Sequence, residues 1–157
     1  MKGDGNCRIV SIEDNRERFL PLLLLADPSE EVVRSYLKEG MLHVLYDGEE
    51  RPVCEALILD LGFGVCEVKN LATGEDFQNR GYASVLLEYL FLHYGASFTE
   101  MRVGTSPGVV AFYQRLGFVV SHIIPNFFLN LYEEPIWENG YRLTDMIYLK
   151  KDLKRNE

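Results

Sequence analysis

The sequence predicts an α+β fold in which a mixed, mostly antiparallel central sheet of about seven strands is flanked by about four helices. Two observations lead to this fold class. Three strand-like runs follow one another with only short turns between them, which is typical of an antiparallel meander. After the meander, strands alternate with helices, so the later part of the chain must cross over and add mixed pairs to the same sheet.

The first half of the chain supplies one strand, two helices and the meander. Residues 7–13 alternate between apolar and polar side chains, as strands do. A helix is predicted over residues 15–27, with Pro21 in its early part or at a kink. A second helix begins after Ser29 and stops at Gly40. The meander strands are predicted at residues 41–47, 52–62 and 64–73.

The second half alternates helices and strands. A helix is predicted over residues 80–93 and is closed by Gly95. After a short strand comes a compact helix with Ser106 as its N-cap, Pro107 at its first position and Gly117 as its stop. The strands of this half are predicted at residues 100–105, 119–124 and 144–153, and an aromatic-rich segment, 125–142, separates the last two.

The composition is that of a soluble globular protein. The 157 residues, of which 47% are apolar and 25% charged, fit a single domain spanning 1–157. The net charge of -8 argues against nucleic acid as a partner, because phosphate binding needs a basic surface. The apolar run 19–26 is too short to cross a membrane, and three sparse cysteines fit a reducing compartment. We therefore expect a cytoplasmic protein without a membrane partner.

Residues 78–84, QNRGYAS, lie where a strand passes into a helix and offer no strong side-chain cap. The first N–H groups of a helix lack intrahelical partners, and the helix dipole adds partial positive charge there. Gly81 allows a ligand to approach the backbone, Ala83 keeps the next turn low, and Arg80 adds a full charge. The stretch predicts a phosphate site. The alternative is a plain helix start with glycine as a weak cap.

Residues 66–90, which contain this turn, resemble the acyl-CoA-binding motif of the GNAT family of N-acetyltransferases. The family pattern Q/R-x-x-G-x-G/A appears here as Gln78-Asn79-Arg80-Gly81-Tyr82-Ala83. Residues 104–118 are similar to the second cofactor segment of the family, a helix ending in F-Y-x-x-x-G-F. The resemblance implies the GNAT fold and an N-acetyltransferase that moves the acetyl group of acetyl-CoA to a primary amine by direct attack in a ternary complex.

The resemblance also implies which residues bind the cofactor, with no metal. The end of the motif strand would pair with the pantetheine arm, and backbone N–H groups of the turn would hold the pyrophosphate. Ser106 stands where family members often carry an asparagine that contacts the cofactor. The implied cofactor-binding residues are Leu71, Ala72, Thr73, Gln78, Asn79, Arg80, Gly81, Tyr82, Ala83, Ser84, Ser106 and Tyr113.

Two residues are expected to be catalytic. Tyr113 matches the tyrosine that the family places near the thiol sulfur as general acid, and a phenol with pKa ~10 can protonate a thiolate. Glu67 matches the glutamate that histone-acetylating members use as general base, acting directly or through water. From the residues alone, Tyr113 can equally be part of a helical core stripe. Glu67 can equally be an outward-facing strand residue beside Lys69.

The acceptor is expected to bind at the early helices and the aromatic-rich segment. There, aromatic side chains alternate with carboxylates, which suits a cationic or aromatic amine. The same aromatics can instead pack against a sheet edge or form a dimer contact, so monomer and homodimer both stay open. The residues in question are Phe127, Phe128, Tyr132, Trp137 and Tyr141, with Glu133, Glu134, Glu138 and Asp145. Alternative functions are a catalytically silent acyl-CoA-binding sensor and a small structural protein that binds nothing.

Overall fold

The computed structural model describes residues 6–153, which contain nine strands and five α-helices. The strands are β1 (Arg8–Ile12), β2 (Met41–Tyr46), β3 (Pro52–Gly62), β4 (Val65–Thr73), β5 (Glu100–Thr105), β6 (Val119–Ile124), β7 (Trp137–Glu138), β8 (Tyr141–Arg142) and β9 (Met146–Asp152). The helices are α1 (Leu20–Ala26), α2 (Glu30–Leu37), α3 (Tyr82–Gly95), α4 (Val110–Arg115) and α5 (Phe127–Leu131).

Seven of the strands form one sheet in the order β1-β2-β3-β4-β5-β9-β6. β1 to β4 are an antiparallel meander, β4 and β5 pair in parallel, and β9 lies antiparallel between β5 and β6. The crossover from β4 to β5 runs through α3, which explains why this one pair is parallel. The mixed, mostly antiparallel seven-stranded sheet is therefore confirmed.

The sheet is covered on both faces because its central strands are apolar on both sides. On β3, Ala56 and Ile58 belong to the core that contains the apolar side chains of α3, whereas Leu57 between them belongs to the core beneath α1 and α2. α3 is apolar on nearly every side, and Leu86, Leu87 and Leu90 are fully buried. Within residues 6–153, no helix is long and apolar enough to span a bilayer.

Several element boundaries differ from the sequence prediction for local reasons. The helix predicted over 15–27 is a 3-10 turn, Arg16–Phe19, followed by α1, whose first turn holds Pro21. The second helix begins after Ser29 as predicted, and Ser29 caps it, since the Val32 N–H donates to the Ser29 hydroxyl. In contrast, α3 begins at Tyr82 instead of residue 80. The aromatic-rich segment also contains α5 and the β7–β8 hairpin, which the sequence did not predict.

The middle of β4 carries a bulge that determines where the sheet opens. Leu57 pairs with Asn70 and Ile58 with Val68, which leaves Lys69 without a partner on β3. On its other side, β4 pairs with β5 only as far as Val68, although β4 continues to Thr73. The last five residues of β4 therefore extend past the seam with β5.

Glu55 of β3 is a buried carboxyl group without compensation. It is 0% exposed, and neither carboxyl oxygen has a hydrogen-bond partner among the described residues. Burial raises the pKa of Glu55 well above its ordinary value. Because the folded-state pKa exceeds the unfolded one, the folded state keeps a proton that the unfolded state loses as pH rises. The resulting loss of stability begins above a pH of about 4.3 and grows up to the folded-state pKa.

We predict that Glu55→Gln raises the free energy of unfolding relative to the wild type much more at pH 8 than at pH 5. The amide stays neutral at both pH values, whereas the carboxyl costs up to about 1.4 kcal/mol per pH unit in this window. Urea denaturation at the two pH values measures the difference. Glu31→Gln, at an exposed position on α2, is the control and should show no such dependence. An equal difference at both pH values would contradict the prediction.

Candidate active site

A cleft of about 460 Å³ opens where β4 leaves β5. One wall is formed by residues 68–71 of β4 and the other by residues 103–106 at the end of β5. The turn between α1 and α2 and the segment around α5 close the remaining sides. The cleft therefore draws together residues that are far apart in sequence, and its shape follows from the seam that ends at Val68.

The turn before α3 has the geometry of a backbone anion site. Asn79 and Gly81 both take left-handed backbone angles, with φ of 63° and 88°. No side chain caps α3, so the N–H groups of its first turn are not satisfied by a capping side chain. The Gln78 side chain donates to the Thr73 carbonyl at 3.1 Å, which fastens the turn to the end of β4. The predicted phosphate turn and the predicted pantetheine strand are thus joined directly.

Two arginines flank this turn. Arg80 lies with its guanidinium carbon 5.7 Å from the ring centre of Phe77, and Arg51 lies 4.9 Å from the same ring. Arg51 is also paired with Asp47 at 2.7 Å, so its position is fixed. The sequence pointed to Arg80 but missed Arg51, because Arg51 comes from the turn between β2 and β3.

Tyr113 on α4 lines the cleft and is only 5% exposed. Its ring makes edge contacts with Phe112 and Phe118, so it is also part of the core, as the alternative interpretation expected. Burial, together with the nearby Cys54 and Glu55, raises the pKa of Tyr113 above its ordinary value. The phenol therefore holds its proton at neutral pH, which suits a proton donor.

Glu67 is placed differently from Tyr113. It is 7% exposed and accepts a hydrogen bond of 2.8 Å from the Tyr148 hydroxyl. It is therefore not the exposed strand residue of the alternative interpretation, and Lys69 beside it lies in the bulge. Lys69 is among the residues that line the cleft, and Glu67 is not. The proposed role of Glu67 as a base stays a prediction.

Ser106 lies at the predicted N-cap position but does not cap. Its hydroxyl donates to Glu138 of β7 at 2.6 Å, and no capping hydrogen bond is made in the 3-10 turn that follows. The predicted cap is wrong because a carboxylate, a stronger acceptor that also holds the hairpin in place, competes for the hydroxyl. Ser106 nevertheless lines the cleft, and its contact with the cofactor stays a prediction.

The aromatic-rich segment contributes much of the remaining wall. Of its five aromatic side chains, four line the cleft and Tyr141 does not, being 76% exposed. Of the four acidic residues named with them, only Glu138 lines the cleft. Asp145 accepts from the backbone N–H of Asn126 and thereby holds the start of α5. The four aromatic residues in the wall are Phe127, Phe128, Tyr132 and Trp137.

The sequence did not predict a hydrogen-bonded cluster that joins the segment around α5 to the turn between α1 and α2. Asp27 accepts from the Tyr36 hydroxyl at 2.9 Å and from the Tyr132 hydroxyl at 3.0 Å. Asn70 donates to the Tyr36 hydroxyl at 2.9 Å and to the Leu23 carbonyl at 3.2 Å. We call Asp27, Tyr36, Asn70 and Tyr132 the Asp27 cluster. In the sequence Asp27 marks only a chain break, because its partner Tyr132 lies 105 residues away.

Comparisons with known proteins agree with this architecture. A family model described as an acetyltransferase (GNAT) domain matches residues 38–120. The chain is 33% identical over 150 residues to YvbK of Bacillus subtilis strain 168, an uncharacterized N-acetyltransferase, and the match covers 93% of this chain and 96% of YvbK.

Solved structures of the same shape include three acetyltransferases. A GNAT family acetyltransferase from Elizabethkingia anophelis, with acetyl-CoA bound, has a TM-score of 0.89 at 34% identity and covers 95% and 99% of the two chains. An IAA acetyltransferase from Bacillus cereus has a TM-score of 0.84 at 31% identity, covering 93% and 99%. A Bacillus subtilis acetyltransferase in complex with CoA has a TM-score of 0.83 at 29% identity, covering 93% and 98%.

The fold and the cleft therefore define an acyltransferase, an enzyme that transfers acetyl groups. The chain belongs to the GNAT family of acetyltransferases. Among residues 6–153, no group of three or more His, Cys, Asp or Glu side chains is arranged to hold a metal ion.

We predict that Tyr132→Phe loosens α5 without unfolding the protein. The lost hydrogen bond goes to a carboxylate, and such bonds contribute roughly 1.5–3 kcal/mol, so the amides of α5 should exchange with solvent about tenfold faster or more. Hydrogen exchange followed by mass spectrometry measures this. Tyr141→Phe, at a 76% exposed position in the same segment, is the matched control. Unchanged exchange in Tyr132→Phe would show that the phenol does not hold α5.

Proposed function

We propose that this chain, acting as one domain, binds acetyl-CoA and transfers its acetyl group to a primary amine in a ternary complex. The observation that carries the proposal is the continuity between two features. The end of β4, which is paired with β3 but not with β5, borders the cleft, and Gln78 fastens the uncapped start of α3 to that strand end. A ligand with an extended amide-containing arm and a pyrophosphate group matches this arrangement. Acetyl-CoA and CoA occupy two relatives of 34% and 29% identity.

Binding of the cofactor is assigned to backbone groups. The pantetheine arm would lie along Leu71, Ala72 and Thr73 as an added strand, since this edge of β4 lies past the last pair with β5. The pyrophosphate would accept hydrogen bonds from the N–H groups of residues 79–84, where the helix dipole favours an anion. Arg80 adds positive charge at the turn, whereas the charge of the nearby Arg51 is already paired with Asp47.

The chemistry is a direct displacement. The amine nitrogen attacks the thioester carbonyl carbon, a C–N bond forms, and the C–S bond breaks with the electron pair leaving on sulfur. Tyr113 would give its proton to the thiolate, and backbone N–H groups near residues 71–73 would stabilise the developing oxyanion. The amine also loses a proton. Glu67 is the proposed base and would act through water, since it does not line the cleft.

We predict that Tyr113→Phe lowers turnover about 100-fold or more without abolishing the binding of CoA. The ring and its packing are retained, and only the acidic hydroxyl is lost. Release of the CoA thiol from acetyl-CoA in the presence of a panel of primary amines measures turnover, and calorimetry measures CoA binding. Tyr89→Phe, at a 42% exposed position on α3, is the matched control. Wild-type turnover in Tyr113→Phe would remove Tyr113 from the reaction.

We also predict that Gly81→Glu abolishes measurable CoA binding. The new side chain brings bulk and negative charge to the turn that is proposed to hold the pyrophosphate. Gly62→Glu is a matched control, because Gly62 has a similar φ of 90° and no atom lies within 4 Å of an added Cβ. It introduces the same charge and comparable backbone strain away from the turn. Equal CoA affinity in both variants, measured by calorimetry, would contradict the assignment of the phosphate site to this turn.

A further inference from the structure

The Asp27 cluster holds a carboxylate in the cleft wall without an opposite charge. Asp27 is 9% exposed and accepts from three neutral donors, which are the hydroxyls of Tyr36 and Tyr132 and the backbone N–H of Ser29. Burial raises the pKa of both phenols, so they remain protonated donors. None of the ion pairs within 4.0 Å in residues 6–153 involves Asp27. The arrival of a cation lowers the free energy of a buried carboxylate in this state.

Asn70, a member of the same cluster, has a buried acceptor that only a hydrogen-bond donor can satisfy. It is 3% exposed and lines the cleft, and its amide nitrogen already donates to Leu23 and Tyr36. Its amide oxygen has no partner among the described residues. A buried acceptor left unpaired is costly, and only a donor can satisfy it. An ammonium group supplies three donors and accepts none.

The charges elsewhere in the cleft also favour a cation. Two acidic side chains, Asp27 and Glu138, line the cleft, against a single basic one, Lys69. Lys69 does not neutralise Asp27 by direct contact, since its ammonium lies 5.5 Å from the ring centre of Tyr36 and forms no ion pair with the carboxylate. The aromatic side chains of the segment around α5 provide an apolar surface between the charged groups.

We propose that the Asp27 cluster binds a second ammonium group of a diamine or polyamine acceptor, whose other, primary amine is the one acetylated. This inference rests on the proposed acetyl transfer. Asp27, Asn70 and Tyr132 of the cluster line the same cleft as Tyr113, so one elongated molecule can reach both. A volume of about 460 Å³ is in the range that holds a small ligand together with the reacting end of the cofactor. Asp27 is thus a residue that determines acceptor specificity.

The test compares diamines with monoamines of matched chain length. Putrescine, cadaverine and spermidine are assayed against butylamine and pentylamine by CoA release, and diamine binding to the CoA-loaded protein is measured by calorimetry. The wild type should show kcat/KM for diamines about 10- to 100-fold above that for monoamines. Asp27→Asn should remove this preference by lowering kcat/KM for diamines and leaving kcat/KM for monoamines unchanged. Asp27→Glu, which keeps the charge, should retain part of it.

Controls separate this inference from the proposed function. Glu31→Gln removes one negative charge from the exposed side of α2 and should change kcat/KM for neither diamines nor monoamines. Equal losses for diamines and monoamines in Asp27→Asn would show a merely structural role and overturn the inference. Failure of every diamine to bind the CoA-loaded protein would overturn it as well. If the protein binds no CoA, the proposed function fails, and diamine binding to the free wild type and to Asp27→Asn then shows separately whether the Asp27 cluster is a diamine site.

Discussion

The end of pairing between β4 and β5 at Val68 is the constraint on which the rest of the site depends. The bulge at Lys69 lies directly after this last pair. Because of the extra residue, side chains that would otherwise point to one face of the sheet point to the other face beyond the bulge. Val68 belongs to the core that contains the side chains of α3, whereas Asn70 donates to Leu23 of α1 on the other side of the sheet. One extra residue therefore opens the seam and also puts Asn70 into the wall of the Asp27 cluster.

The two regions of the site carry opposite charge. Near the start of α3, the uncapped N–H groups and Arg80 favour a polyanion. In the cleft, Asp27 and Glu138 favour a cation. The proposed anionic cofactor and the proposed cationic acceptor would therefore bind at different places, and neither would compete for the binding groups of the other. The net charge of -8 would favour the approach of a cation, whereas the proposed phosphate site depends on local backbone groups that the overall charge does not describe.

The sequence predicted what is encoded locally. The glycine turn and the helix with Tyr113 are short patterns whose geometry depends on adjacent residues, and both lie where they were expected. The order of strands followed from turn lengths and crossovers for the same reason. The Asp27 cluster was not predictable, because its hydrogen bonds join residues 9, 34 and 105 positions apart. The cap at Ser106 failed for a related reason, since its competitor Glu138 comes from a hairpin that no local pattern indicated.

The segment that covers the cleft is held by polar contacts more than by burial. None of the five residues of α5 is fully buried, and its position depends on the bonds from Asn126 to Asp145 and from Tyr132 to Asp27. The sheet and α3, in contrast, are held by fully buried apolar side chains. Substitutions in this segment are therefore expected to change the wall of the cleft with little effect on the core. In the proposed function, this construction would let the acceptor site vary while the strand and turn assigned to the cofactor stay the same.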